Sequence, residues 1–253
     1  FFWPTAIDPV AWQSPADKGL TGDFIRNNVL ASAQIFSLSN KHGPEDFAVD
    51  GAGIMYTGTD DGTILKIIPT VNSDTVEIIE WVNTGGRALG MEFNQAGQLI
   101  IADSELGLLS IEPSGEVVTL INEFDGEKFG FIDDLDITDD GRILFSDASS
   151  KFSARNFGGA FNASKLDISE HGGHGRVFVY DPSNKSIKLV AQNLDFANGI
   201  AISFDQQWVL VNETGSYRIL KLGIAEENFG QQQVLIDNLP GFPDNISRGE
   251  NGR

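Results

Sequence analysis

The sequence predicts an all-β fold, a β-propeller, and three observations predict it. Gly-anchored turns followed by β-rich runs recur: DGAGIMYTGTDDGTILKI (50–67), NQAGQLIIADSELGLLSI (94–111), TDDGRILFSDASSKF (138–152), DQQWVLVNETGSYRILKL (205–222) and GENGR (249–253). Their fourth residues, Gly53, Gly97, Gly141, Trp208 and Gly252, lie 44, 44, 67 and 44 residues apart, so one unit carries about 23 extra residues. Each unit reads as four short strands joined by hairpin turns, and long amphipathic helical patterns are absent. Four antiparallel strands repeated every ~40–50 residues are the signature of a propeller blade.

Taken in order, residues 1–43 precede the first complete unit. Within them 20–40 (LTGDFIRNNVLASAQIFSLSN) read as strand-like and are expected to complete the last blade, so that no sheet edge stays open. In the first unit Phe47-Ala48-Val49 leads into the Asp-Gly-Ala-Gly turn and Ile54 to Thr57 runs out to Asp60-Asp61-Gly62. Ile64 to Ile68 and Val76 to Val82 complete it. Units begin near residues 44, 88, 132, 197 and 243, and the fifth is cut off after its first strand. With about four to eight blades in a closed ring, the chain is expected to lack its last one to two. The whole of 1–253 is read as one propeller domain. The extra residues, Ser153 to His174, fall between the second and third strands of the third blade. That loop lies on the face where inner strands start, so it is expected to roof the central channel as a lid-like surface loop.

Composition narrows the partners. The 17 Lys+Arg against 36 Asp+Glu give a net charge of −19, a field that repels phosphate backbones and disfavours nucleic acid. The absence of cysteine excludes disulfides, thiolate zinc sites and Cys nucleophiles. No apolar run is long enough to span a bilayer. The chain starts at Phe1, and a leader or anchor upstream of it is expected.

The first strand of each blade lines the channel, so equivalent positions converge on one axis. They are Glu45, Leu89, Asp133, Asn198 and Asp244, and four of the five carry oxygen donors. Converging carboxylates in a partly dry channel stay ionised only beside a cation. Oxygen donors without His or Cys point to calcium, ahead of magnesium or manganese. Asp46 and Asp134 follow directly and face the other way, either to serve a second ion or simply to cap loops. The run Asp136-Ile137-Thr138-Asp139-Asp140-Gly141 only mimics an EF-hand loop, because no helix flanks it and it fits the blade period.

The strings GPEDFAVDGAGIMYTGTDDGTILKI, DDLDITDDGRILFSDASSKF, GRVFVYDPSNKSIKLVAQNLDFANGIAIS and LPGFPDNISRGENGR resemble the calcium-dependent phosphotriesterase superfamily. That group holds gluconolactonases, senescence marker protein and paraoxonases, and the resemblance is nearest its strictosidine-synthase-like branch, which includes adipocyte plasma membrane-associated protein. It implies a six-bladed propeller with a catalytic calcium held by Glu45, Asn198 and Asp244, with Asn245 as a further ligand and Asp133 standing where the family usually has Asn. A second, structural calcium is implied at Asp46 and Asp134. The paraoxonase catalytic His corresponds to Leu89, so that proton shuttle does not carry over. Family membership also implies export, periplasmic or extracellular, or a membrane anchor, over a cytoplasmic location.

The reaction expected is hydrolysis of a small-molecule lactone or aryl ester, with the metal polarising the carbonyl and stabilising the oxyanion. Glu45, Asp133, His171 or His174 would serve as catalytic groups, and Phe157, Phe161 and His42 would border the substrate pocket. No GxSxG elbow is present, which speaks against a serine hydrolase. Two alternatives stand beside this: an amine–aldehyde condensing enzyme like strictosidine synthase, and a non-catalytic binding propeller.

Overall fold

A computed structural model describes residues 5–70 and 75–249, and every repeat within it begins at the same kind of hairpin. Asp50 Oδ1 accepts the amides of Ala52 and Ile54, and Asn94 Oδ1 accepts those of Ala96 and Gln98. The turn then closes through Gly53, Gly97 and Gly141, at φ 82°, 78° and 86°. Such left-handed backbone favours glycine. In the fourth repeat Gln206 takes this place, at φ 56°, so Gln206 rather than Trp208 is the true counterpart. The long interval is therefore 65 residues, and the insertion adds about 21 rather than 23.

Four four-stranded antiparallel sheets follow, each in simple sequential order. The first holds β1 (Phe47–Val49), β2 (Met55–Gly58), β3 (Thr63–Pro69) and β4 (Val76–Asn83). The second holds β5 (Ala88–Phe93), β6 (Leu99–Asp103), β7 (Gly107–Ile111) and β8 (Val117–Ile121). A short hairpin, β9 (Glu123–Phe124) and β10 (Glu127–Lys128), precedes the third sheet, β11 (Ile132–Ile137), β12 (Ile143–Asp147), β13 (Gly175–Asp181) and β14 (Ser186–Leu194). The fourth holds β15 (Ala197–Ile202), β16 (Trp208–Glu213), β17 (Arg218–Gly223) and β18 (Gln232–Ile236).

Where a sheet face is covered by the neighbouring blade, the central strands read as near-continuous apolar runs. Ile64, Leu99, Ile101 and Ile111 pack between the first two blades, and Leu108, Phe145 and Phe178 between the second and third. Val177, Ile200, Val209 and Leu220 pack between the third and fourth. Each such side chain contributes roughly 1.5–3 kcal/mol by leaving water. The inner strands are further tied by carboxylates that accept amides of the next blade. Asp46 accepts from Met91 at 2.8 Å, Glu92 from Ile137 at 2.9 Å, Asp134 from Ile200 at 2.7 Å and Asp136 from Ile202 at 2.6 Å.

No strand of a last blade is among the described residues, so the pairing expected of 20–40 stands as an expectation. Residues 20–40 form no strand; they hold 3-10 turns at Gly22–Phe24 and Val29–Ser32, with Val29, Leu30 and Ile35 exposed. A strand needs a partner, and the described residues offer this segment none. The fifth unit likewise starts without a strand: Asp244 lies against the fourth blade, its carbonyl accepting the Gly199 amide and the Asn212 side chain. Gly252 falls outside the described residues.

A candidate acidic site at the channel mouth

The second, third and fourth blades each position the start of the inner strand with a carboxylate at the end of the second strand. Asp103 accepts the Arg87 amide at 3.0 Å, Asp147 the Phe131 amide at 2.8 Å, and Glu213 the Asp195 amide at 2.9 Å. Glycine does the complementary work inside the channel. A Cβ on Gly90 would lie 2.3 Å from Asp134 Oδ1, and one on Gly199 would lie 2.5 Å from the Asp244 carbonyl. Only a residue without a side chain lets the next blade approach this closely.

So positioned, Glu45, Asp133, Asn198 and Asp244 come to one another's neighbourhood. Asn198 donates to Asp244 Oδ1 at 2.7 Å, and the Asn245 amide hydrogen-bonds Glu45. Burial and then the charges of Asp46 and Asp244 push the Glu45 carboxyl up to about 7, opposed by Asn245 and Arg87. Asp133 is raised well above the usual carboxylate range by burial, then by Glu45, Asp134 and Asp244. The Asn198 Oδ1 is buried with no hydrogen-bond partner. Among the described residues no three His, Cys, Asp or Glu side chains form a ready-made metal cage. The donor chemistry nonetheless fits a hard cation: an orphaned carbonyl oxygen faces carboxylates that resist ionisation without one.

Asp46 and Asp134 have different partners from those expected. Besides the Ile200 amide, Asp134 accepts the Leu135 amide at 2.8 Å, so both its oxygens are occupied by backbone donors, as Asp46 Oδ2 is by Met91. These two act as blade-to-blade ties. With Glu92 and Asp136 they line a cavity of about 360 Å³ further along the channel, where Arg248 pairs with Asp136 at 3.2 Å. Burial, reinforced by Asp136, raises the Glu92 carboxyl to about 8.

Sequence reasoning did not find Arg87. Its guanidinium donates to the Gly43 carbonyl at 2.7 Å and lowers the carboxyls of Glu45 and Asp133, while its Nη1 is buried without a partner. The signal available was its place two residues before Leu89, in a unit whose own channel position is apolar.

The insertion lies between the second and third strands of its blade as expected, but as a helix, α1 (Ala160–Glu170). Ala160, Ala163, Leu166 and Ile168 of α1 share one apolar cluster with Leu89, Phe131, Phe152 and Phe196 at the inner-strand starts. The insertion thus packs onto the inner-strand starts through a buried apolar face. Phe157 joins that cluster, edge-on to Phe152, whereas Phe161 is 76% exposed, with Lys165 over its ring. His42 is exposed too, and its carbonyl accepts the Asp60 amide.

The insertion histidines face groups other than the acidic cluster. His174 Nε2 lies 2.7 Å from Glu170 Oε1, and His171 stacks on Trp12 with centroids 4.6 Å apart and its Nδ1 3.9 Å from Asp195. Glu170 also binds Lys151 Nζ at 2.6 and 2.7 Å; although burial opposes ionisation, Lys151, His174 and the Asp8 amide hold its carboxyl down to about 2. One turn earlier, Asp167 accepts from Ser149 Oγ at 2.5 Å, its other oxygen buried without a partner, and burial lifts it to about 6.

Four-stranded antiparallel blades packed in sequence, with acidic residues at their inner-strand starts, define a propeller-like architecture. Comparison with known proteins agrees. The family model for strictosidine synthase matches residues 133–227, and that for the strictosidine synthase-like N-terminal region matches 22–67. Adipocyte plasma membrane-associated protein of Danio rerio is 35% identical over 100% of this chain and 62% of its own length. A gluconolactonase from Xanthomonas campestris superposes with a TM-score of 0.66 at 20% identity, covering 82% of this chain and 67% of that one. Regucalcin of Agrobacterium tumefaciens, described as a calcium-binding protein, gives 0.59 at 13% identity, covering 83% and 65%. The chain therefore belongs to the strictosidine-synthase-like family. It spans less than two thirds of the Danio rerio relative.

Proposed function

We propose that this chain is the greater part of a six-bladed, calcium-dependent hydrolase of small lactones or aryl esters. One observation carries the reading: Glu45, Asp133, Asn198 and Asp244 draw together at the inner-strand starts, with the buried Asn198 oxygen lacking a partner. Those four, with Asn245, would hold the ion, which when bound supplies a positive charge to polarise a carbonyl and stabilise an oxyanion. Leu89, Phe131 and Phe196 would give the substrate an apolar wall at the inner-strand starts. The general base falls to a channel carboxylate, Glu45 or Asp133, because the ring nitrogens of His171 and His174 face Asp195 and Glu170. A structural second calcium at Asp46 and Asp134 would have to share them with the backbone amides they already accept.

The named properties of the relatives support this reading: gluconolactonase for the substrate class, calcium binding for the ion, and plasma-membrane association for a location outside the cytoplasm. Among the described residues no helix is long and apolar enough to cross a membrane. The match to the strictosidine synthase model favours a second reading, amine–aldehyde condensation. Assays of lactones, aryl esters and an amine–aldehyde pair, each with calcium and then with chelator, separate the two. Ester or lactone turnover lost on chelation supports the hydrolase; condensation that survives chelation supports the alternative; no turnover of either leaves a binding propeller.

A further inference from the structure

We propose that the roof of the channel mouth has two parts, α1 and an N-terminal strap of residues 7–16, and that Glu170 positions the strap to limit substrate length. This rests on the hydrolase reading for its substrate class. The strap has no secondary structure of its own and is held at a few points, all on the mouth-side face. Ile7 packs into the cluster formed by Leu89, Phe131 and Phe196. Glu170 Oε2 accepts the Asp8 amide at 2.8 Å, and the Glu170 carbonyl accepts the Val10 amide at 2.7 Å. Trp12 lies between His171 and Tyr217, with centroids 4.6 and 5.8 Å away and both ring pairs 13° from parallel. Tyr217 in turn stacks on Phe242 at 4.8 Å, two residues before Asp244. Asn238 donates to the Ala16 carbonyl at 2.8 Å. The strap thus runs from the insertion of the third blade to the far edge of the fourth.

The chemistry of Glu170 explains why it is the anchor. It is 2% exposed, yet its side chain meets an ammonium, an imidazole and a backbone amide, drawn from Lys151, His174 and Asp8. A buried carboxylate satisfied on both oxygens is rigid, and removing it leaves the Lys151 charge and the Asp8 amide without their acceptor. The strap, by contrast, has exposed residues such as Val10 and a half-turned-out Trp12. A segment with few buried contacts opens at low cost. The arrangement therefore joins a firm anchor to a strap that a longer acyl group must displace.

Hydrogen exchange and kinetics on the whole chain test this together. Glu170→Ala should abolish protection of the Asp8 amide, while Glu170→Gln, which keeps an acceptor oxygen, should restore most of it. Trp12→Ala, which leaves the Lys151 and His174 contacts of Glu170 in place but loosens the strap, should lower KM for long-acyl relative to short-acyl lactones by about tenfold, with kcat on the shortest lactone within about threefold. Unchanged Asp8 exchange in Glu170→Ala would overturn the positioning role. If Glu170→Ala does not fold, the Asp8 and Val10 amides of Trp12→Ala are read instead: faster exchange supports the strap, and unchanged exchange removes it. An unaltered long-to-short ratio in an active Trp12→Ala variant overturns the length selection. A wild type that turns over no lactone sinks the hydrolase reading and the length selection with it, and the exchange result alone then decides whether the strap exists.

Discussion

Glu45, Asp133, Asn198 and Asp244 were legible because oxygen donors at period-equivalent strand starts interrupt otherwise apolar runs. Glu92 and Asp136 were not, because facing into a blade-to-blade amide tie leaves no mark in spacing alone. Asp167 was hidden for a similar reason: one acidic residue in a polar insertion looks solvated, yet it is 1% exposed. It offers a clean pH test. Burial raises its folded carboxyl to about 6, above the ordinary ~3.9 of an unfolded chain. The native state therefore binds the proton more tightly than the unfolded state, and stability rises as pH falls through 6 and levels off below about 4. The ceiling for this one group is about 2–3 kcal/mol. Asp167→Asn removes the titration, so its Tm should exceed that of wild type at pH 7.5 and lose that advantage by pH 4.5. Parallel Tm curves for the two proteins across this range would show that Asp167 carries no such penalty.

Strand after strand of the four blades followed from apolar runs and hairpin signals, whereas α1 did not. Its N-cap, Gly159, makes no capping hydrogen bond from a side chain, and its first turn holds no acidic residue. Every local start signal is missing, and at 11 residues a helix is marginal alone. Tertiary packing of Ala163 and Leu166, with the polar anchors Asp167 and Glu170, decides it instead. The same logic applies to 20–40, which holds 3-10 turns where the described residues offer no pairing edge. Deleting Ser153 to Gly173 should therefore leave a cooperative propeller core but uncover Leu89, Phe131, Phe152 and Phe196. The expected cost is roughly 2–5 kcal/mol, the range for emptying a core site, accompanied by a changed ratio of rates on short and long acyl lactones. Calorimetry and kinetics on the deletion variant check both. An unchanged Tm and unchanged ratios would mean that α1 neither seals nor selects.

Across the whole chain, acidic charge is put to two separate uses. Inner-strand carboxylates that accept amides of the next blade knit the sheets together, while those at the mouth crowd one another beside an Asn198 oxygen that has no partner. Charge of −19 spread over the surface responds to any salt, but the mouth should respond to a specific divalent ion. An ion that binds only the folded state stabilises it by about 2.7 kcal/mol at one hundred times its Kd. For a chain of this size that corresponds to a Tm rise of roughly 5–10 °C. Calcium should produce this rise, and sodium chloride of equal ionic strength should produce only a small fraction of it. Glu45→Gln keeps the shape of the side chain and removes one charge from the mouth, so it should shift the calcium titration to higher concentration and shrink the rise at fixed calcium. Asp46→Asn is the internal comparison, because Asp46 spends an oxygen on the Met91 amide; its loss should lower Tm with or without calcium. If calcium and sodium chloride raise Tm equally, and Glu45→Gln changes neither response, the mouth is merely acidic and holds no ion.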